Sequence, residues 1–371
     1  MSEKIATSRR LIVKIGSALL VDEATGEINR HWLEALIEDV VQCRSLDQEV
    51  LIVTSGAVAV GRRPLGLAAG PLKLEEKQAA ASAGQLRLAH AYQDVAARFG
   101  VTVAQILLTP DDTESRRRHL NARATIEELL RLKALPVINE NDTVATAEIR
   151  FGDNDRLAAR VAQMISADTL ALLSDIDGLY TSDPRHDPKA THIPEIRELT
   201  PEIEAMAGHA PPGSSSGGMV TKLAAARIAL AAGCRMVIAK GEALHSLAAI
   251  DQGARATWFI PSANPLTARK RWIAGAVKLS GALVVDAGAA AALKRGTSLL
   301  PAGVVSVEGS FQRGDAVAVR AKDGKELARG LSAYSSEDAK SIAGHKSGEI
   351  EAILGYRGRD EMIHRDDLVL T

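Results

Sequence analysis

The sequence predicts an α/β protein: an open, mainly parallel sheet sandwiched by helices, followed by a small, mainly β domain. Three observations carry this. Through residues 1–260 apolar, β-branched runs alternate with helix-prone stretches, the grammar of a parallel sheet covered on both faces. Aromatics are only 3% of a chain that is 46% hydrophobic, so the core must be built from Ala, Val, Leu and Ile, which suits helices packed on parallel strands. From residue 276 short strands alternate with Gly and Asp turns, which marks a second domain, with residues 261–275 between the two read as a turn-rich linker.

Taken in order, LIVKIGSALL reads as a buried strand that breaks at Gly16. Lys14 lies inside it. An ammonium in an apolar strand is costly, so it either snorkels at an edge or meets an anion at the strand's end. HWLEALIEDVVQCRSL follows with apolar residues at helical spacing, and EVLIVTSGAVAVGRRPLG repeats the opening pattern with a sharp turn at Ser55-Gly56. A glycine there lets a ligand approach the backbone and its free N–H groups. Next come the helical stretch EEKQAAASAGQLRLAHAYQDVAARFG, the strand VTVAQILLT, and PDDTESRRRHLNARATIEELLRL, read as a polar loop whose Arg116, Arg117 and Arg118 form a solvated face or an inter-subunit contact.

The densest polar stretch is NENDTVATAEIRFGDND, residues 139–155, between the apolar run Leu135, Val137, Ile138 and the helical RLAARVAQMI. Five acids (Glu140, Asp142, Glu148, Asp153, Asp155) and three asparagines (Asn139, Asn141, Asn154) face one base, Arg150. Open α/β sheets bind ligands where a strand gives way to a helix, so the stretch reads as a substrate loop with Asn154 or Asp155 as helix N-cap. TLALLS then ends at Ser174-Asp175, and SSSGGMVTKLAAARIALAAG brings Ser216, Gly217 and Gly218 to a helix start with Lys222 one turn inside. Free N–H groups and a lysine there suit an anion, although GxxxxGK[ST] occurs nowhere. After the strand RMVIAKG, the stretch WFIPSANPLTARKRW reads as turns; VKLSG, ALVVDAG, VVSVEG, DAVAVRAKDG and IEAILGY read as strands, and Ala287 to Lys294 as a helix.

Composition narrows the function. A formal net charge of −1 gives no general pull toward nucleic acid or an anionic membrane. Cys43 and Cys234 are isolated, which suits a reduced, cytoplasmic protein. No apolar run approaches the ~20 residues of a membrane span, and MSEKIATSRR lacks a signal peptide's apolar segment. Two separated lysines, Lys14 and Lys222, with glycine turns suit a polyphosphate and its transferring group, while the acids suit a metal or a substrate ammonium. That combination points to phosphoryl transfer.

The residues resemble the amino acid kinase family from end to end. The resemblance rests on VKIGS, IVTSGAVAVG, LNAR, PVINENDTVATAEIRFGDND, LLSDIDGLYTSDPR and SGGMVTKLAAA, followed by a tail similar to a PUA domain. It is closest to members that use ATP and Mg²⁺ to phosphorylate the side-chain carboxylate of L-glutamate at the start of proline synthesis. The resemblance implies that Ser55, Asp142 and Asn154 bind glutamate. It places Lys14 and Lys222 on the phosphoryl group in flight, with Gly56 holding it by its backbone. It places Ser174 and Asp175 on the nucleotide side, with Ser216, Gly217, Gly218, Met219, Val220, Thr221 and Lys222. Asp175 and Asp155 would orient the lysines or a metal. One departure stands out: Ser215-Ser216 replaces the Gly-Thr common before Gly-Gly-Met, which leaves any contact from that threonine's hydroxyl in doubt.

The resemblance further implies feedback inhibition by proline and a homo-oligomer (dimer or tetramer); whether the labile product is handed to glutamate-5-semialdehyde dehydrogenase is left open by the sequence. Against RNA binding by the tail stand 13 Lys and Arg and 13 Asp and Glu between Gly275 and Thr371, with no basic stripe. Relatives acting on N-acetylglutamate, aspartate, carbamate or a nucleoside monophosphate, and a non-catalytic RNA-binding or regulatory protein, are the competing readings.

Overall fold

The computed structural model describes residues 4–22, 25–68, 70–144, 154–208, 218–275 and 279–371. They cluster into two compact units, Met1–Pro265 and Leu266–Thr371.

The first unit is built from β1 (Arg10–Ile15), α1 (Ser17–Leu20), α2 (Arg30–Ser45), β2 (Glu49–Val53), α3 (Ala57–Arg62), α4 (Leu74–Ala97) and β3 (Val103–Leu108). The chain continues through α5 (Pro110–Glu114), α6 (Arg116–Arg131), β4 (Leu135–Glu140), α7 (Asn154–Ile165) and β5 (Thr169–Ser174). Short strands β6 (Leu179–Tyr180), β7 (His192–Ile193) and β8 (Glu195–Ile196) precede α8 (Pro201–Ala205), α9 (Met219–Ala231), β9 (Arg235–Lys240), α10 (Ser246–Asp251) and β10 (Ala256–Phe259). Among the described residues the main sheet has eight strands in the order β3-β4-β2-β1-β5-β9-β10-β8. Its pairings are parallel except that of β10 with β9.

Period-two alternation splits the core. Leu11, Val13 and Ile15 of β1 face one way with Ile52, Val137 and Leu173, under Trp32, Leu36 and Val40 of α2 and Leu88, Tyr92 and Val95 of α4. Ile12 faces the other way with Leu51, Val53, Ile138 and Leu172, under α6, α7 and α9. Burying each such aliphatic side chain stabilises by about 1.5–3 kcal/mol relative to exposing it. The result is the helix–sheet–helix sandwich expected from the sequence. Helices α3 and α4 cross without side chains between them: a Cβ on Gly84 would collide with the Ala57 carbonyl, and one on Gly61 with the Ala80 carbonyl.

Several local readings need correction. The polar stretch after β3 is not a loop but helices α5 and α6, because Arg123, Ile126 and Leu130 give α6 a buried stripe. The substrate stretch starts inside β4, since Asn139 and Glu140 are its last, buried residues. Helix α7 already includes Asn154, so Asn154 and Asp155 lie in its first turn and neither is the N-cap. Residues 145–153, which include Glu148, Arg150 and Asp153, lie outside the described residues.

The second unit contains α11 (Pro265–Gly275), β11 (Gly281–Val285), α12 (Ala287–Lys294), β12 (Val304–Gly309), β13 (Ala316–Ala321), β14 (Glu326–Leu331), α13 (Ser336–Ile342), α14 (Ile350–Leu354) and β15 (Leu368–Leu370). Its five strands run in the order β12-β11-β13-β14-β15 over a core that includes Leu283, Phe311, Val319, Ile342 and Met362. Two sequence readings fail here. The turn-rich stretch after Thr257 holds the end of β10 and helix α11, and Ile350–Leu354 is a helix whose Ile350 is buried while Gly355 ends it in the left-handed conformation. No described helix is long and apolar enough to cross a membrane.

Candidate active site

Parallel strands put their carboxyl ends on one edge, so β1, β2, β4 and β5 bring Lys14, Thr54-Ser55, Asn139-Glu140 and Ser174-Asp175 to the same side of the sheet. Lys14 is in phase with Ile12, so its stem runs to the face covered by α7 and α9. There its Nζ lies 2.5 Å from Asp155 Oδ1, and Lys222 Nζ, from the first turn of α9, lies 3.2 Å from Asp155 Oδ2. The Thr221 hydroxyl, which donates to the Gly218 carbonyl at 2.7 Å, lies 3.3 Å from Asp155 Oδ2. All three charged groups are buried: Asp155 is 0% exposed, Lys222 3% and Lys14 6%.

Burial alone would push the Asp155 carboxyl up, but the charges of Lys14 and Lys222 and their hydrogen bonds outweigh it and hold it below its ordinary range. Asp155 is therefore ionised at neutral pH, and the three side chains together carry one positive charge. A buried excess of positive charge at a sheet edge is a place for an anion.

Beside this triad sits a chain of amides. Asn154 Nδ2 donates to the Thr54 carbonyl (2.5 Å), Ser55 Oγ (3.0 Å) and Asn139 Oδ1 (2.7 Å). Asn139 Oδ1 also accepts from the Glu140 N–H at 2.9 Å, and Asn139 Nδ2 donates to Gln85 Oε1 of α4 at 2.6 Å. The polarity is set by backbone groups that cannot switch role: the Thr54 carbonyl only accepts and the Glu140 N–H only donates. Asn154 thus spends its donors on protein and keeps Oδ1 as an acceptor. Ser55 receives a hydrogen bond and keeps its own proton to give. An acceptor and a donor side by side match the ammonium and carboxylate of an amino acid.

The turn carrying Ser55 is held from below by Tyr92, whose buried hydroxyl donates to Thr54 Oγ1 at 2.9 Å. Gly56 takes φ +98°, and a Cβ there would sit 2.8 Å from Val21 Cγ2, so only glycine fits. Asp142 lies half-buried in the turn after β4, which Ser82 of α4 approaches through Thr143 at 3.3 Å.

The structure thus brings Lys14 and Lys222 together, and Ser55 with Asn154. It does not bring Asp175 to either lysine: among the described residues that exposed carboxylate accepts from its neighbour Ser174 at 2.9 Å. Among the described residues the acid that meets both lysines is Asp155, because it faces the buried side between β1 and α9, whereas Asp175 has already left β5. Gly218 caps α9, and Met219, Val220 and Thr221 form its first turn; Ser216 and Gly217 lie outside the described residues. Sequence reasoning placed Asn139 in the substrate loop without a role of its own and missed Gln85. A buried amide ending an apolar strand was a legible signal for Asn139; a glutamine on a helix is not one.

A fold and site of this kind define a phosphotransferase. The amino acid kinase family model matches residues 9–240 and the PUA domain model residues 281–354. The chain belongs to the amino acid kinase family. More particularly, it is 66% identical to the glutamate 5-kinase of Paramagnetospirillum magneticum, over 99% of each chain. It is 58% identical to glutamate 5-kinase 1 of Rhizobium meliloti over 98% of this chain and 92% of the relative, and 57% identical to that of Paracoccus denitrificans over 100% and 99%.

Proposed function

We propose that this chain transfers the γ-phosphoryl group of ATP to the side-chain carboxylate of L-glutamate, giving glutamyl 5-phosphate and ADP, the first step of proline synthesis. The observation that carries this reading is Asp155 gripping Lys14 and Lys222 in its two oxygens, one residue from Asn154. Lys14 and Lys222 meet the phosphoryl oxygens, where charge must be stabilised as the group moves. Asn154 Oδ1 accepts from the substrate ammonium, the Ser55 hydroxyl donates to a carboxylate, and Asp142 contributes from its turn to the same amino acid. Gly56 contributes its backbone N–H. Ser174, Asp175 and the first turn of α9 from Gly218, together with Ser216 and Gly217, serve the nucleotide.

No general base is required. A glutamate side chain with pKa about 4.3 is already a carboxylate at neutral pH, so the site has to position it and relieve charge. Among the described residues no cluster of three His, Cys, Asp or Glu side chains is placed to hold a metal. That suits Mg²⁺ carried in on the nucleotide, which needs only one or two protein carboxylates beside phosphate and water; we assign Asp175 to it. When bound, Mg²⁺ neutralises charge on the phosphates.

Proline feedback near the glutamate site and a dimeric or tetrameric assembly are parts of the same reading, checked by a proline titration and by light scattering. The central test is ATP-dependent hydroxamate formation with glutamate, N-acetylglutamate and aspartate side by side. Product with glutamate alone supports the assignment; preference for either other acid overturns it.

A further inference from the structure

We infer that Gln85 is a positioning residue for amino acid recognition, acting through Asn139 on Asn154. This rests on the reading of the site as one for a free amino acid. The hydrogen bonds run in one direction, from Asn154 Nδ2 to Asn139 Oδ1 at 2.7 Å and from Asn139 Nδ2 to Gln85 Oε1 at 2.6 Å. Asn139 is 2% exposed, so its NH₂ group has little access to water in place of Gln85. Without that acceptor, a buried amide donor is left unsatisfied, and the side chain recovers the loss by rotating its amide toward another partner. That rotation withdraws Oδ1 from Asn154. Freed of one of its three acceptors, the Asn154 amide is less sharply aimed, and so is the Oδ1 that meets the substrate ammonium.

The backbone supports this placement. Gly84, the residue before Gln85, touches the Ala57 carbonyl with no side chain between, and α3 begins just after Ser55. Ser82, one turn earlier on α4, reaches Thr143. One helix therefore braces both the amide chain and the turn that carries Asp142. Gln85 is half-buried, and its own NH₂ makes no hydrogen bond among the described residues. A direct contact of that NH₂ with substrate is the competing role.

Two substitutions separate the roles. Gln85→Leu removes the acceptor; Gln85→Glu keeps an acceptor oxygen for Asn139 and removes the NH₂. With Gln85 as a positioning residue, Gln85→Leu raises KM for glutamate roughly tenfold, the scale of one hydrogen bond, while KM for ATP and kcat stay near wild type. Gln85→Glu then restores KM for glutamate to within about threefold of wild type. Gln85→Ala gives a second removal of the acceptor if the leucine disturbs folding, and an unchanged KM for ATP reports an intact fold. Unchanged glutamate KM in Gln85→Leu and Gln85→Ala overturns the inference. So does a Gln85→Glu enzyme worse than Gln85→Leu, since a carboxylate in direct contact with substrate would repel it. Wild-type protein that forms no hydroxamate with glutamate refutes the functional reading instead.

Discussion

Lys14 and Lys222, more than two hundred positions apart in the chain, hold the two oxygens of one carboxylate, at 2.5 and 3.2 Å from Asp155. The strand β1 and the helix α9 are thereby tied through α7, and the cations cannot drift apart without exposing a buried charge. Removing the charge but keeping the shape, as in Asp155→Asn, leaves two buried ammonium groups without their shared counterion. Breaking such a pair costs about 3–5 kcal/mol of stability. Loss of lysine positioning lowers kcat by about a hundredfold or more. Urea unfolding and steady-state kinetics check both; a variant as stable and as fast as wild type would show that Asp155 does not organise the lysines.

The proposed roles give the lysines to the phosphoryl group and the amide cluster to the amino acid, so their variants should fail differently. Lys222→Ala removes a charge needed mainly when the phosphoryl group is in flight, and kcat falls while KM for glutamate changes modestly. Asp142→Ala acts on the amino acid and mainly raises KM for glutamate. Full kinetics against glutamate at saturating ATP distinguish them, and the reverse pattern would exchange the two roles.

The pH dependence follows from the direction of the Asp155 shift. Its folded value lies below the ordinary 3.8, so the native state holds that proton more weakly than the unfolded chain does. Its contribution to stability is then complete above 3.8 and is lost as pH falls through the lowered value. The stability gap between wild type and Asp155→Asn should persist from about pH 7 to about pH 5 and close only in stronger acid. A gap already gone at pH 5 would mean a raised value. Activity should fail earlier than stability, as the substrate carboxylate protonates near pKa about 4.3.

Much of this arrangement was legible in the residues. Lys14 stood out because an ammonium in an apolar strand is costly unless it snorkels at an edge or meets an anion; the face it takes, shared with Ile12, came from the structure. The glycine at 56 and the lysine one turn into α9 carried their signals locally. Which acid would meet the lysines was not legible. Asp155 and Asp175 both follow strands in acid-rich stretches, and only the packing of α7 between β1 and α9 chooses Asp155. Helix α6 was misread because its three consecutive arginines mask a stripe spaced at Arg123, Ile126 and Leu130. In the second unit Ile350–Leu354 is too short for period to separate strand from helix. Gln85 has no local mark at all, since its role depends on two helices touching at glycines.

That contact yields the last prediction. At the crossing of α3 and α4, a methyl group on Gly84 meets the Ala57 carbonyl and the Gly61 backbone, and neither is a flexible side-chain end that can turn away. Gly84→Ala must therefore push the helices apart, an overpacking that costs about 1–3 kcal/mol or more and lowers Tm by several degrees at about 2–4 °C per kcal/mol. The displacement reaches both ends of the amino acid site, because α3 starts immediately after Ser55-Gly56 and Gln85 is the next residue of α4. KM for glutamate should rise while KM for ATP, whose proposed site lies at β5 and α9, moves less. Alanine is the better helix former by about 1 kcal/mol, so propensity alone would raise Tm. A scanning-calorimetry Tm at or above wild type would show that the two helices separate without cost and that their contact does not hold the substrate turn.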